Sequence, residues 1–241
     1  MRPRATTTVA GAGSTLRAIL GDTAAESAIG VRLPLLPPLD KLFGRGLRRG
    51  AVVAVDGDAA RMSLAMALMA GVSGDGGWCG VVGVPSFGCV AASELGVRLD
   101  RLAMVPQPGP VWAEAMAAML PGMDVLLVQP PGLVPGRLAR RLAARARQAR
   151  CTVLTLGPVW EGADVRISAV HQEWLGVGAG SGRLRSRRVR VAVSNRPGSE
   201  LDVWLPAEGG GVAEVELTVQ PPLSIVDRRV AAGAVDLDEA V

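Results

Sequence analysis

The sequence has no tyrosine, a single histidine (His171) and a single lysine (Lys41). One histidine excludes a histidine-ligated metal centre and leaves only one candidate base for Ser-His-Asp chemistry. Cys79, Cys89 and Cys151 are odd in number and lack C-x-x-C spacing, so they read as buried, reduced thiols. No apolar run approaches the ~18–20 uncharged residues of a membrane span. Met1-Arg2-Pro3-Arg4 leads into a Thr/Ala/Gly mixture instead of a signal-peptide core, so a cytoplasmic location is expected. What is abundant is arginine, which with Lys41 gives a net charge of +4. Together with the richness in alanine, glycine and valine, this skew reflects a GC-rich genome. It permits nucleic-acid contact without requiring it. With 49% hydrophobic residues the chain can bury one sizeable core, with or without a small appendage.

Three divisions are expected: residues 1–30 as a flexible arm or short helix, 31–210 as the core, and 211–241 as a strand and an acidic tail. Ser14 is a candidate helix cap. Pro34, Pro37 and Pro38 read as an extended lead-in, with one turn at Leu39 to Phe43. From Ala51 onward, apolar β-branched runs alternate with helical patterns. Strands are expected at Ala51–Val55, Trp78–Val84, Leu102–Val105, Asp124–Val128 and Thr152–Leu156. Helices are expected at Met62–Ala70 (closed by Gly71), Cys89–Leu95, Trp112–Leu120 and Gly136–Arg150. Strand and helix alternating with short connections specify an α/β fold, a mainly parallel twisted sheet flanked by helices. Arg187–Val193 and Leu201–Leu205, around Asn195-Arg196-Pro197-Gly198, predict an antiparallel hairpin on the sheet's edge. Val212–Val219 is a further candidate strand.

The turn after the first strand has the layout of a phosphate loop, strand, glycine turn and helix. Its chemistry is different. The pattern G-x-x-x-x-G-K-[ST], begun at Gly57, needs Gly-Lys-Ser/Thr where Met62-Ser63-Leu64 stand. Arg61 could replace the lysine only in a shortened loop, and a broad guanidinium is not a compact ammonium. Asp58 would repel a phosphate. The site is therefore read as a degenerate loop at Gly57, Asp58, Arg61, Met62 and Ser63, with no cofactor expected.

The ordered run resembles the core of the RecA recombinase. Gly46-Leu47-Arg48-Arg49-Gly50 resembles the turn into its nucleotide-binding strand, and Trp78-Cys79-Gly80-Val81-Val82 its next strand. Leu95-Gly96-Val97-Arg98-Leu99-Asp100-Arg101-Leu102, with Gln107-Pro108 after it, is the most specific match. Met123 to Val128 resembles the strand that carries its Walker B aspartate. Under this resemblance Gln129 stands for that aspartate, Pro85 for the catalytic glutamate and Gly157 for the polar switch residue. Phosphoryl transfer needs the cation clamp, the metal and an oriented water together, so no ATPase is expected. The two DNA-binding loops of the recombinase would be reduced to Pro131–Pro135 and to a glycine-rich piece at Gly176–Gly182.

A shortened RecA-like chain of high-GC character with a decayed nucleotide site is similar to the ImuA family, in its actinobacterial ImuA-prime branch. That resemblance implies an accessory role in the damage-induced (SOS) mutasome and in translesion synthesis. The implied partners are an ImuB-type inactive Y-family polymerase relative, RecA and, indirectly, an error-prone replicative polymerase and the sliding clamp. Two alternatives are a division inhibitor of the related SulA kind and a DNA-binding module.

Arg183, Arg185, Arg187, Arg188 and Arg190 are the candidate DNA contacts, and alternation puts Arg188 and Arg190 opposite Val189 and Val191. Arg137, Arg140, Arg141, Arg145, Arg147 and Arg150 line one helix, as a solvated face or a DNA-facing patch. His171, beside Gln172, Glu173 and Trp174, is expected in a loop or edge strand, either structural or solvent-exposed. Leu223, Ile225 and Val226 are candidate docking residues of the tail.

Overall fold

Short β-branched runs, each stopped by glycine or proline, build the centre of the molecule. The computed structural model describes residues 32–43, 46–57, 60–157, 160–178, 181–194 and 199–215. The expected N-terminal arm, Asp58, and the tail residues Leu223, Ile225 and Val226 lie outside these residues.

The first elements are β1 (Arg32–Leu33), α1 (Pro37–Phe43) and β2 (Leu47–Arg48), with β1 and β2 paired antiparallel. Next come β3 (Val52–Gly57), α2 (Arg61–Gly74), β4 (Cys79–Val82), α3 (Cys89–Glu94) and β5 (Leu102–Val105). They are followed by α4 (Trp112–Met119), β6 (Val125–Val128), α5 (Gly136–Ala149) and β7 (Thr152–Leu156). Last are β8 (Val165–Gly178), β9 (Ser181–Val193), β10 (Glu200–Trp204) and β11 (Ala213–Glu214).

One nine-stranded sheet runs in the order β11-β10-β9-β8-β3-β7-β6-β4-β5. From β5 to β8 neighbouring strands are parallel, and from β8 to β11 they are antiparallel. The expected edge hairpin is present as β9 and β10, with Val191 opposite Leu201 and Val189 opposite Val203. On one face, α1, α2 and α3 pack on Val53, Val55, Val81, Leu127, Leu154, Ile167, Val189 and Val191. On the other, α4 and α5 cover Val52, Val82, Leu126, Val128 and Val153. Parallel strands covered on both faces explain why their sequences are continuous apolar runs.

Four expectations are corrected. Pro37 and Pro38 do not extend the chain; they open α1, where a missing N–H and a fixed φ suit a first turn. Gly71 does not close its helix, since α2 continues to Gly74. Its missing side chain instead admits the Leu35–Leu36 backbone, which a Cβ would meet at 2.7 Å. The stretch Gly176–Gly182 is not a reduced loop. It is the end of a long hairpin in which Val177 faces Gly182, and Gly176, at φ +103, sits where the register shifts as at a bulge. His171 accordingly lies on β8, opposite Val189, and not in a loop or edge strand.

The strand beginnings are tied together by polar contacts. Arg49 Nη1 donates to Asp124 Oδ1 at 2.7 Å, and both side chains are nearly covered. The second oxygen of Asp124 accepts the Trp78 N–H at 2.9 Å, so one carboxylate links the starts of β3, β4 and β6. Asp164 Oδ2 accepts the Val52 N–H at 2.8 Å and does the same for β3 and β8.

Candidate functional site

In a parallel α/β sheet the usual site is the crevice beyond the carboxyl ends of the strands. Here β3 runs into Gly57, β4 into Gly83, β6 into Gln129 and β7 into Gly157. Each glycine is at positive φ: +116 at Gly57, +74 at Gly83 and +92 at Gly157. At Gly57 the need is steric. A Cβ there would lie 2.0 Å from the Ala169 carbonyl oxygen of β8, so the glycine lets two strands approach.

The first turn of α2 carries Arg61, Met62, Ser63 and Leu64. Leu64, at the Ser/Thr position of the loop pattern, has no exposure. Met62 packs its side chain against the α2-side core. Ser63, at the lysine position, accepts a 2.6 Å hydrogen bond from Arg187 Nη2. Arg61 is half-exposed at the start of the helix. Ala60 is fully buried and gives no side-chain cap.

Arg187 is the residue that sequence reasoning placed wrongly in character. It stands among the candidate DNA contacts, yet its exposure is 5%. It projects from β9 on the valine face, towards the start of α2. Its Nε donates to the Leu205 carbonyl at 3.1 Å, and its guanidinium lies 4.9 Å from the centre of the Trp174 ring. A bidentate-capable cation is thus held among a hydroxyl, a carbonyl and an aromatic face. It fastens the β8–β9 hairpin to the first turn of α2.

The other four β9 arginines are on the outside, two of them well matched. Arg188 Nη2 and Arg190 Nε donate to Asp202 at 2.6 Å and 2.9 Å. Arg188 also lies 3.7 Å from Glu173. The Arg190 guanidinium, then Arg188, hold the Asp202 carboxyl below the usual range. Both arginines lie opposite Val189 and Val191, as expected, on the side that continues the α4–α5 face. Arg166, also on that side, reaches Asp56 at 2.9 Å. Arg185 meets Glu208 at 3.3 Å, and Arg183 is exposed.

Cys79 and Cys151 are buried as expected, whereas Cys89 is half-buried beside Met104. Burial pushes the Cys79 thiol up to about 12 and the Cys151 thiol well above its ordinary value. Among the described residues, no group of three His, Cys, Asp or Glu side chains is placed to hold a metal. No described helix is long and apolar enough to cross a membrane. A cleft of about 650 Å³, lined by Arg32, Arg48, Asp164 and Arg166, opens at the opposite end of β3 from the degenerate loop.

The strand order and the crevice define the RecA-like class of α/β proteins. A solved RadB recombinase structure superposes with a TM-score of 0.55 over 75% of this chain and 97% of that one, at 13% identity, a likeness of fold. Residues 41–162 match the family described as the MT3502 N-terminal domain, and the chain belongs to that family. An uncharacterized protein of Mycobacterium tuberculosis, Rv3395c, is 39% identical over 108 residues, which are 44% of this chain and 53% of that protein. The chain thus spans about half the length of the curated relative it matches. A mycobacterial relative fits the actinobacterial character read from the composition.

Proposed function

We propose that this chain is a RecA-like accessory protein of ImuA type that neither binds nor hydrolyses ATP and works through protein contacts in damage-induced mutagenesis. Its partner on this reading is an ImuB-type inactive Y-family polymerase relative, and through it an error-prone polymerase and the sliding clamp. Contact with RecA itself belongs to the same reading. The observation that carries it is the first turn of α2: Ser63 is bonded by the buried Arg187, and Leu64 is in the core. A phosphate there would compete with a contact made by the fold itself, and the loop pattern offers no lysine to receive it. A RecA-like sheet kept without that clamp favours a scaffold over a motor.

Two measurements on the full chain test this. Titration with a fluorescent ATP analogue and magnesium is expected to show no saturable binding, and co-expression with the ImuB-type protein of the same genome is expected to give a stable complex. A magnesium-dependent ATPase activity that disappears in Arg61→Ala would overturn the first half. Separate elution of the two proteins at micromolar concentration would overturn the second.

A further inference from the structure

Between Val125 and Trp160 every charged residue is an arginine, and all six (137, 140, 141, 145, 147 and 150) belong to α5 or its C-terminal cap. Ala139, Leu142, Ala143 and Ala146 turn inward, so the arginines occupy the outer face and its two flanks, all exposed. Among the described residues none of them enters an ion pair, whereas the arginines of β8 and β9 named above mostly do.

Helix stability does not account for this arrangement. Arg137–Arg141 and Arg141–Arg145 are like charges one turn apart, which repel. Arg137 also stands in the first turn, where the helix dipole disfavours a cation. A GC-rich genome explains arginine in place of lysine, but not the absence of acidic residues over the whole stretch.

The chemistry of the face selects its partner. Outward between the arginines lie only Ala144 and Gln148, so the face lacks the apolar or aromatic centre that anchors a protein interface. It also lacks any ring on which an unpaired base would stack. What remains is a row of guanidinium groups about 20 Å long, from Arg137 to Arg150. That length spans about six base pairs of a duplex phosphate backbone, which binds by charge neutralisation alone. We propose that the outer face of α5 binds double-stranded nucleic acid through its phosphates, without regard to sequence. This does not depend on the mutasome reading, and it places contact on a helix face, away from the β8–β9 hairpin.

The test is fluorescence anisotropy of the full chain with a labelled random-sequence DNA duplex at several salt concentrations. Binding is expected to weaken as salt rises. The triple variant Arg137→Glu, Arg141→Glu, Arg145→Glu is expected to lose about tenfold or more in affinity and about 2–3 from the magnitude of the salt slope. The double variant Arg183→Glu, Arg185→Glu should keep the wild-type slope. Circular dichroism checks that each variant is folded. Should the triple reversal not fold, Arg137→Ala, Arg141→Ala, Arg145→Ala replaces it, since alanine favours helix. The proposal is overturned by a wild-type slope of zero, by an unchanged slope in the folded triple variant, or by loss of binding in the hairpin variant alone. Tighter binding of poly-glutamate than of the duplex would overturn it too, pointing to an acidic protein partner.

Discussion

The arginines of β9 and those of α5 are similar in number and opposite in circumstance. On β9, Arg187 is inside and bonded to Ser63 and Leu205, and Arg188 and Arg190 share Asp202. On α5 and its cap all six are exposed and, among the described residues, none forms an ion pair, although the Glu161 carboxylate sits near Arg140 at the start of the helix. The β9 cluster is denser in sequence and was the stronger candidate for contact with DNA. The structure shows that a run of basic letters does not by itself make a basic surface. What matters is which carboxylates the fold brings opposite, and Asp202 arrives from a different strand.

The comparison makes its largest prediction for stability. Arg187→Ala should cost about 2–4 kcal/mol in chemical denaturation, because it leaves the Leu205 carbonyl and the half-buried Ser63 hydroxyl without their partner and empties a buried position. Arg187→Lys should not rescue it fully, as one ammonium cannot span both acceptors. Arg141→Ala on α5 should fall within about 0.5 kcal/mol of wild type. Equal losses at the two positions would erase the distinction.

Asp202→Asn comes next, with less than half the loss of Arg187→Ala. The folded state holds this carboxyl below its ordinary value, so its contribution is present above about pH 4 and fades as pH falls through the depressed value. The variant's stability should therefore be flatter than wild type on the acid side and lower than wild type at neutral pH. Parallel acid limbs in the two curves would show that Asp202 is not neutralising its neighbours.

The smallest effect has the opposite sign. Arg137→Glu puts a carboxylate in the first turn of α5, one turn before Arg141, and should stabilise the protein by about 0.5 kcal/mol. If the α5 face binds a polyanion, the same change should weaken that binding. A helix that gains stability while the protein loses affinity would mark the arginine as kept for contact. A loss of stability would mean that Arg137 already has a structural task.

Much of this architecture was legible in the sequence. The strands β3 to β7 announce themselves as short apolar runs ended by glycine or proline, and all but the edge strand β5 are buried. Leu102–Val105 and Thr152–Leu156 were read to the residue. β8 was missed although Val165, Ile167 and Ala169 alternate with Arg166 and Ser168. The glycines at 176 and 178 suggested a loop, whereas the register shift at Gly176 lies within the ladder. Gly71 was taken as a terminus because close packing of a distant segment, Leu35–Leu36, leaves no local trace. The burial of Arg187 follows from the same alternation that turns Arg188 and Arg190 to the other face. A guanidinium on the valine face becomes credible only once Ser63, Leu205 and Trp174 are seen around it. The departure from the phosphate-loop pattern at Met62, Ser63 and Leu64 was legible in the letters. That Ser63 receives a hydrogen bond from β9 was not, because 124 positions separate it from Arg187.

That last contact bears on reversibility. Rebuilding a phosphate loop would require lysine in place of Ser63, which removes an acceptor from a buried arginine. It would also require a hydroxyl in place of Leu64, which sets a polar group in the core. Each step alone costs stability before any ligand could repay it, and the steps reach across two distant segments of the chain. Under the proposed function, the Arg187–Ser63 contact acts as a ratchet: the surface is free to change, whereas the phosphate-loop pattern is out of reach one substitution at a time.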